Sequence, residues 1–287
     1  MIEIVIYLGE AMLLGIRNNL LSENVQRNLK TVSREYQKEV LELSSGKRIN
    51  QASDDPAGLA MAKLLEGNIR SLRQANRNAN EGLSLVQTAE GGLNEIGNIL
   101  LRLRELAIQS SSDVIGDEER GLLQAEFSEL HHEIDRISRT TELNGVNLLN
   151  GSMKNIDVQV GIHAGADHRI SLNAKPLVAN TDIFDLDDDD IESKDDSLDS
   201  LSTLDRAISK VSEQRAQLGA YQSRLTSAIS NLESMTFNSE EARSVIEDAD
   251  IAKAASRMVT LGIIQEAGIS TLAQVNNLNS KVIRLLT

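Results

Sequence analysis

The sequence predicts a mostly α-helical protein, built as a long antiparallel helical coiled-coil bundle of its N- and C-terminal segments, with one small β-hairpin element. Apolar residues recur three, four or seven positions apart through the first and last thirds of the 287-residue chain, which is the spacing of helices with one buried face. The chain has three Phe, three Tyr and no Trp. Because thick globular cores draw on large aromatic side chains, this composition favours helices packed side by side.

The first predicted helix spans residues 17–43 and ends at a Ser-Ser-Gly sequence, residues 44–46, where the glycine favours a helix stop. Its apolar residues lie at helical spacing and need a surface to pack against. Leu20, Leu29 and Tyr36 are three of the residues on its inner side.

Two more helices are predicted before the middle of the chain. The second begins at residue 57, after an Asp-Pro pair that supplies an N-cap and a proline at the first helical position, and extends to about residue 112. Its apolar stripe runs from Leu65 to Leu106 and is far longer than that of an ordinary globular helix. The third helix is predicted over residues 117–140.

A β-hairpin follows these helices. Apolar residues alternate with others over residues 156–162, and Ile170 and Leu172 match them across a short connection, a pattern typical of two paired strands. Residues 175–199 are strongly acidic and are predicted to form a linker or small excursion. The chain then returns to helix over residues 200–235 and 239–286.

The last predicted helix repeats the apolar spacing almost to the final residue. The residues concerned are Leu272, Val275, Leu278, Val282 and Leu285. The two ends of the chain are therefore expected to pair as an antiparallel coiled bundle.

Six segments organise the chain in this interpretation. Residues 1–11 are an atypical N-terminal extension, with Met12 as an alternative start. The others are an inner-core helix and linker at 12–56, the N-terminal part of a helical shell domain with the hairpin at 57–174, a short acidic variable segment at 175–199, the C-terminal part of the shell domain at 200–238, and a C-terminal inner-core helix at 239–287.

Composition and motifs argue against several functional classes. A formal net charge of −14 disfavours nucleic acid as a partner, because phosphate binding draws on clustered Lys and Arg. The sequence contains no phosphate-binding loop, dinucleotide fingerprint, zinc-protease motif or serine nucleophile elbow, and it has no Cys. We therefore expect no catalytic activity, no cofactor and no metal site. No stretch approaches the roughly 20 apolar residues that a membrane span requires.

Several segments resemble bacterial flagellin, and they occur in the family's order. The most specific is Leu-Ser-Ser-Gly-Lys-Arg-Ile-Asn at residues 43–50, which continues into Asp-Asp-Pro-Ala-Gly at 54–58. Further matching segments are residues 77–90, 104–110, 143–149, 243–250 and 265–276. Together they extend the resemblance over most of the chain.

The resemblance implies a secreted structural subunit that polymerises with itself, or with other flagellins, into the extracellular flagellar filament. It also implies passage through the flagellar export apparatus, docking of a flagellin export chaperone on the C-terminal helix, and contact with filament cap and hook-filament junction proteins. The polymerisation seam is then expected to comprise Leu20, Leu29, Tyr36, Leu272, Val275, Leu278, Val282 and Leu285. Val282→Asp or Leu285→Asp is expected to abolish polymerisation, because each would place a charge in a buried seam. The short acidic segment occupies the place of the outer domain of larger flagellins. The two alternatives are a hook-filament junction protein and a soluble coiled-coil adaptor.

Some flagellins are bound by Toll-like receptor 5. The residues here that resemble its contact region are Arg102, Leu106 and Glu126. Another interpretation assigns Leu106 to the core and the two charged residues to contacts with neighbouring subunits.

Overall fold

The computed structural model describes residues 20–152, 155–173, 177–186 and 189–286, with side chains as far as Asn277. The predicted extension at residues 1–11 and the alternative start at Met12 lie outside these residues. The described helices are α1 (Leu20–Ser45), α2 (Pro56–Ser110), α3 (Asp117–Thr140), α4 (Lys194–Glu247) and α5 (Ile251–Leu286). The predicted fold class is confirmed, since long helices dominate and the strands are short.

The first three helices lie within a few residues of their predicted positions, and their ends have local causes. Gly46, in the left-handed region at φ 70°, follows α1. The carboxylate of Asp55 accepts a hydrogen bond from the backbone N–H of Gly58 at the start of α2. Gly116 precedes α3, where its own N–H donates to the side chain of Glu119.

The predicted break between residues 235 and 239 is wrong, because α4 continues through it to Glu247. The hydroxyls of Thr236 and Ser239 donate to the carbonyls of Leu232 and Met235, so these polar residues stay within the helix. The break lies instead just before α5, where the carboxylate of Asp250 accepts the N–H of Lys253.

The predicted β-hairpin is present and is joined by a second, shorter one. Strand β3 (Ile156–Gln159) pairs antiparallel with β4 (Arg169–Leu172), and Val158 lies opposite Ile170. A short 3-10 helix, Ala166–His168, precedes β4. The additional hairpin pairs β1 (Glu142–Leu143) with β2 (Val146–Asn147) around Asn144 and Gly145, both at positive φ, as a tight hairpin turn requires.

The prediction that residues 175–199 form an acidic linker or excursion is wrong for its described part. Five apolar side chains of this segment are buried in the core, and its last residues belong to α4, which begins at Lys194. The carboxylate of Asp135 anchors the segment by accepting hydrogen bonds from the backbone N–H and the hydroxyl of Thr181. The buried side chains are Leu177, Ala179, Phe184, Leu186 and Ile191.

The chain divides into two compact units. The first combines the residues up to Glu66 with those from Glu241 onward, and the second comprises Gly67–Glu240. The sequence analysis placed the corresponding boundaries at residues 56 and 238. Both of those positions lie where a helix begins or continues, because α2 starts at Pro56 and α4 ends at Glu247.

The second unit holds the large hydrophobic core. Side chains from α2, α3 and α4 meet in it, together with those of β3, β4 and the acidic segment. Fully buried members include Leu93, Ile96, Leu100, Leu103, Phe127, Ile134, Leu204 and Leu225. Gly82 lets the hairpin approach α2, since a Cβ there would lie 2.9 Å from a methyl group of Val158. Among the described residues, no helix is long and apolar enough to cross a membrane.

Candidate functional site

Helices α1 and α5 pack together as an antiparallel pair in the first unit. Leu29 lies against Gly268, where an added Cβ would be 2.9 Å from the leucine methyl carbon, and Tyr36 lies against Gly262 at 3.7 Å by the same measure. Farther along, Ser22 Oγ donates to Asn276 Oδ1 at 3.3 Å. The residue numbers of the contacts on α5 rise as those on α1 fall, so the two helices are antiparallel.

Polar contacts join the residues just after α1 to the residues between the end of α4 and the start of α5. Lys47 Nζ lies 2.6 Å from a carboxylate oxygen of Glu247, whose side chain is largely buried. The guanidinium of Arg48 donates to the carbonyl of Ile246 at 2.6 Å, and the backbone N–H of Ala249 donates to the carbonyl of Gly46 at 2.9 Å. These bonds set the position of the chain before α5 begins.

The loop between α1 and α2 is organised by the carboxylate of Asp54. It accepts the backbone N–H of Gln51 at 3.0 Å and that of Asn50 at 3.1 Å, and Lys38 Nζ lies 3.6 Å away. The hydrogen bond from Gln51, with that from Asn50 and the charge of Lys38, holds the pKa of Asp54 below its ordinary value, against the effect of burial.

The α1–α5 pair leaves large apolar side chains exposed on its outer surface. Val259 and Ile263 are 58% and 64% exposed, and at 100° per residue they lie on the side of α5 opposite Gly268. We call the exposed apolar side chains of both helices the outer face. Its members are Leu20, Leu21, Val40, Leu41, Ile251, Val259, Ile263, Ile264 and Ile269.

Residues of the sequence-predicted seam occupy two different places. Leu29, Tyr36, Leu272 and Val275 are half-buried, and the first two contact α5. Leu20 is exposed and belongs to the outer face. The side chains of Leu278, Val282 and Leu285 lie outside the described residues.

Arg102 and Glu126 form an ion pair between α2 and α3, with Nε and the nearer terminal nitrogen 2.9 Å and 2.7 Å from Oε1 of Glu126. Glu105 accepts a further hydrogen bond from Arg102 at 3.1 Å. The hydrogen bonds that Arg102 donates raise the pKa of its guanidinium, and those to Glu126 have the largest effect. Both members of the pair are about half exposed. Leu106 is only 1% exposed and belongs to the core.

Among the residues that the structure describes, the titratable groups form no constellation that suggests catalysis. The rings of His163 and His168 meet edge to face, with centroids 5.3 Å apart, and His131 Nε2 lies 3.1 Å from the carbonyl oxygen of Leu186. Within the described part of the chain, no group of three or more His, Asp or Glu residues is placed to hold a metal ion.

Comparison with known proteins identifies both the N-terminal and the C-terminal region of the chain. The model of the bacterial flagellin N-terminal helical region matches residues 16–154, and that of the C-terminal helical region matches residues 201–286. The chain is 38% identical to a flagellin of Halalkalibacterium halodurans over 94% of its own length and 99% of that protein. The chain belongs to the flagellin family.

A flagellar core protein and a solved flagellin structure are also similar to this chain. A flagellar filament 31.3 kDa core protein of Treponema maltophilum is 35% identical over 94% of this chain and 99% of its own. The crystal structure of Bacillus cereus flagellin is 27% identical and aligns with 54% of this chain and 88% of its own, at a TM-score of 0.49. As a flagellin, the chain is a structural subunit of the bacterial flagellar filament, and its family is not one of enzymes.

The sequence analysis missed the outer face of this flagellin, although a signal for it was present. Val259 and Ile263 are four residues apart and lie on the opposite side of α5 from Leu272 and Val275. Apolar residues on both sides of a helix indicate two separate packing partners. The sequence prediction included only the side of α5 that carries Leu272 and Val275.

Proposed function

We propose that this flagellin joins the extracellular filament by burying the outer face of its α1–α5 pair against the same helices of neighbouring copies. The main support for this proposal is that α1 and α5 already contact each other while Val259 and Ile263 remain largely exposed. Burying one such side chain contributes about 1.5–3 kcal/mol, so a repeating lattice of these contacts stabilises an assembly strongly.

The test is the substitution Ile263→Asp in the full-length chain, with Ile263→Leu as the matched control. Seeds are short fragments of sheared filament of the unaltered chain, and growth under precipitating salt is followed by negative-stain electron microscopy. We expect Ile263→Asp to stop elongation, because a buried carboxylate lacks a partner, and Ile263→Leu to preserve it. Elongation of normal rate by the aspartate variant, with an unchanged circular dichroism spectrum, would refute the proposed surface.

The terminal seam residues of the sequence analysis extend this proposal. Leu272 and Val275 continue the half-buried side of α5, and the apolar spacing places Leu278, Val282 and Leu285 on the same helix. We include all five, with Leu20, Leu29 and Tyr36, in the surfaces that become ordered on assembly. For Leu278, Val282 and Leu285 the support is the sequence pattern alone.

Family membership supports secretion and a set of specific partners as further parts of the proposal. The proposal includes secretion through the flagellar export apparatus and contacts with filament cap and hook-filament junction proteins. We also propose that a flagellin export chaperone docks on α5, since an exposed apolar helix needs cover before assembly. Removing residues 241–287 should abolish capture of the chaperone in a pull-down, and full capture by the shortened chain would argue against this site.

Recognition by Toll-like receptor 5 would use the exposed ion pair of Arg102 and Glu126. The support is the resemblance of these positions to the contact region and the half-exposed position of both side chains on adjacent helices. Leu106 would act indirectly, by holding α2 in the core, because its own side chain is buried.

A further inference from the structure

Two Asn-Gly pairs lie close together in the sequence between α3 and β3. They are Asn144-Gly145, in the turn of the β1–β2 hairpin, and Asn150-Gly151, which follows β2. The side-chain carbonyl carbon of an asparagine is open to attack by the backbone nitrogen of the next residue, and a glycine there leaves that nitrogen unhindered because it has no Cβ. The chain therefore contains two candidate sites of deamidation, and their surroundings differ.

The side chain of Asn150 is held with its carbonyl group polarised. Asn150 Oδ1 accepts a hydrogen bond from the backbone N–H of Ser152 at 3.0 Å and a second from the hydroxyl of Ser152 at 2.6 Å. Attack on the side-chain carbonyl carbon places negative charge on this same oxygen, so two donors are already in position to stabilise it, as in an oxyanion hole. Within the described part of the chain, neither the N–H of Gly151 nor the amide nitrogen of Asn150 makes a hydrogen bond, so the attacking and the leaving nitrogen are both unrestrained.

The backbone at this site lies outside regular structure and is open to solvent. Asn150 and Gly151 lie between β2, which ends at Asn147, and β3, which begins at Ile156. Gly151 is exposed and Asn150 is half-buried. Water, which completes the reaction and exchanges its protons, therefore reaches the site.

Asn144 is held in a conformation that opposes the same reaction. Asn144 and Gly145 have φ 53° and 77°, and they lie between the paired residues Leu143 and Val146. A two-residue hairpin turn with both φ positive is type I′. The ring that forms during deamidation includes the Cα–C bond of the asparagine and fixes ψ at a value far from that of this turn. Asn144 must therefore leave the paired turn before it reacts.

We propose that Asn150 is a site of intramolecular deamidation in the folded chain and that the hairpin turn protects Asn144. The backbone nitrogen of Gly151 bonds to the side-chain carbonyl carbon of Asn150 and loses its proton to solvent. The bond from that carbon to the amide nitrogen breaks, and this nitrogen takes up a proton and leaves as ammonia. Water then opens the five-membered ring at either carbonyl, which gives aspartate or isoaspartate at position 150. One water is consumed and one ammonia is released, with no change of oxidation state.

The product alters the main chain beside the core. Isoaspartate adds one atom to the main chain directly after Leu149, which is fully buried. The carbonyl of Leu149 accepts hydrogen bonds from Ser138 Oγ at 3.0 Å and from the N–H of Ala179 at 2.9 Å. Lengthening the chain at residue 150 shifts this carbonyl, so the reaction loosens the attachment of the segment around Ala179 to α3.

Peptide mapping tests the proposal within a single fragment. Trypsin cleaves after Arg139 and Lys154 and releases residues 140–154, which contain both asparagines, so the two positions share one digestion and one ionisation. The full-length chain is kept at mildly alkaline pH, and fragment ions in mass spectrometry give the deamidated fraction at each position with time. The same chain in concentrated urea gives the two rates without folded structure.

We expect Asn150 to deamidate at least about tenfold faster than Asn144 in the folded chain, because only Asn150 is held ready for attack. In urea the two rates should become similar. Equal rates in the folded chain, or a faster reaction of Asn144, would overturn the proposal. It would also be overturned by an Asn150 that stays intact in the folded chain while the chain in urea reacts.

Two variants separate conformation from local sequence. Ser152→Ala removes the hydroxyl donor and keeps the backbone donor, and it should slow Asn150 about fivefold in the folded chain, the usual net effect of one hydrogen bond. The matched control is Val146→Ser at a 41% exposed position, which gives Asn144 the same Asn-Gly-Ser sequence within the turn and should leave it slow. An unchanged rate in Ser152→Ala would contradict the role of the hydroxyl. Fast reaction of Asn144 in Val146→Ser would refute protection by the turn.

Discussion

The adjacent glycines Gly91 and Gly92 in the middle of α2 should respond in opposite ways to substitution by alanine. A Cβ added at Gly91 would meet nothing within 4 Å. At Gly92 it would lie 2.8 Å from a methyl carbon of Leu149 and 2.8 Å from the hydroxyl oxygen of Thr141. Leu149 is fully buried, and the hydroxyl of Thr141 is already bonded to the carbonyl of Ile137, so neither neighbour moves freely.

The magnitudes follow from helix propensity and packing. Alanine is favoured over glycine in a helix interior by about 1 kcal/mol, so Gly91→Ala should stabilise the second unit by roughly that amount. Gly92→Ala gains the same propensity but overpacks the core, which costs about 1–3 kcal/mol. We therefore expect a net loss of about 1 kcal/mol for Gly92→Ala, and a difference of about 2 kcal/mol between the two variants.

Thermal unfolding of the full-length chain, followed by circular dichroism at 222 nm, measures this difference. One kcal/mol corresponds to about 2–4 °C for a domain of this size, so the midpoints of the two variants should lie on either side of that of the unaltered chain. Equal stabilisation by both substitutions would refute the close approach of α2 to the segment that follows α3. Gly91→Ala is the internal control, since it changes the same residue type in the same helix.

Two further predictions use charged groups. Asp54→Asn should destabilise the first unit at pH 7 and have a smaller effect at pH 3, as measured by urea unfolding. The folded-state pKa of Asp54 is lowered, so its contribution is present above the ordinary value of 3.8 and is lost as the pH falls through the folded pKa. The double variant Arg102→Ala with Glu126→Ala should lower Toll-like receptor 5 signalling in a reporter cell without unfolding the chain, because exposed ion pairs contribute little to stability. Unaltered signalling would remove the receptor proposal.

The positions of the long helices could be predicted because their signals are redundant. In α2 an N-cap, a proline and a long apolar stripe all agree, and α3 matches its predicted bounds of 117–140. The break before α5 could not be placed correctly, since Asn238 and Ser239 carry a similar start signal to Asp250. In the structure, Asn238 and Ser239 lie within α4. The break falls near Asp250 because Asp248 and Ala249 make backbone contacts with the residues that follow α1.

The acidic segment shows how charge can conceal a packed structure. Its ten carboxylates dominate the composition of residues 182–199, yet Phe184, Leu186 and Ile191 are buried between them. Spacings of two and five residues match neither a helix nor a regular strand, so periodicity gives no signal. Burial depends here on individual bonds, such as that of Gln124 to the backbone N–H of Ile191.

The contrast between the two units gives the outer face its physical significance. In the described part of the first unit, the fully buried apolar residues are few, namely Ile49, Ala62 and Ala254, whereas the second unit holds an extended core. Ordering a residue costs about 1–2 kcal/mol of backbone entropy. These few buried side chains therefore offset little of the entropy cost of ordering α1 and α5. In the proposed filament, neighbouring subunits cover the outer face and supply the missing stabilisation. On this proposal, ordering of the terminal helices and assembly of the filament are one coupled process, and a substitution such as Ile263→Asp acts on both together.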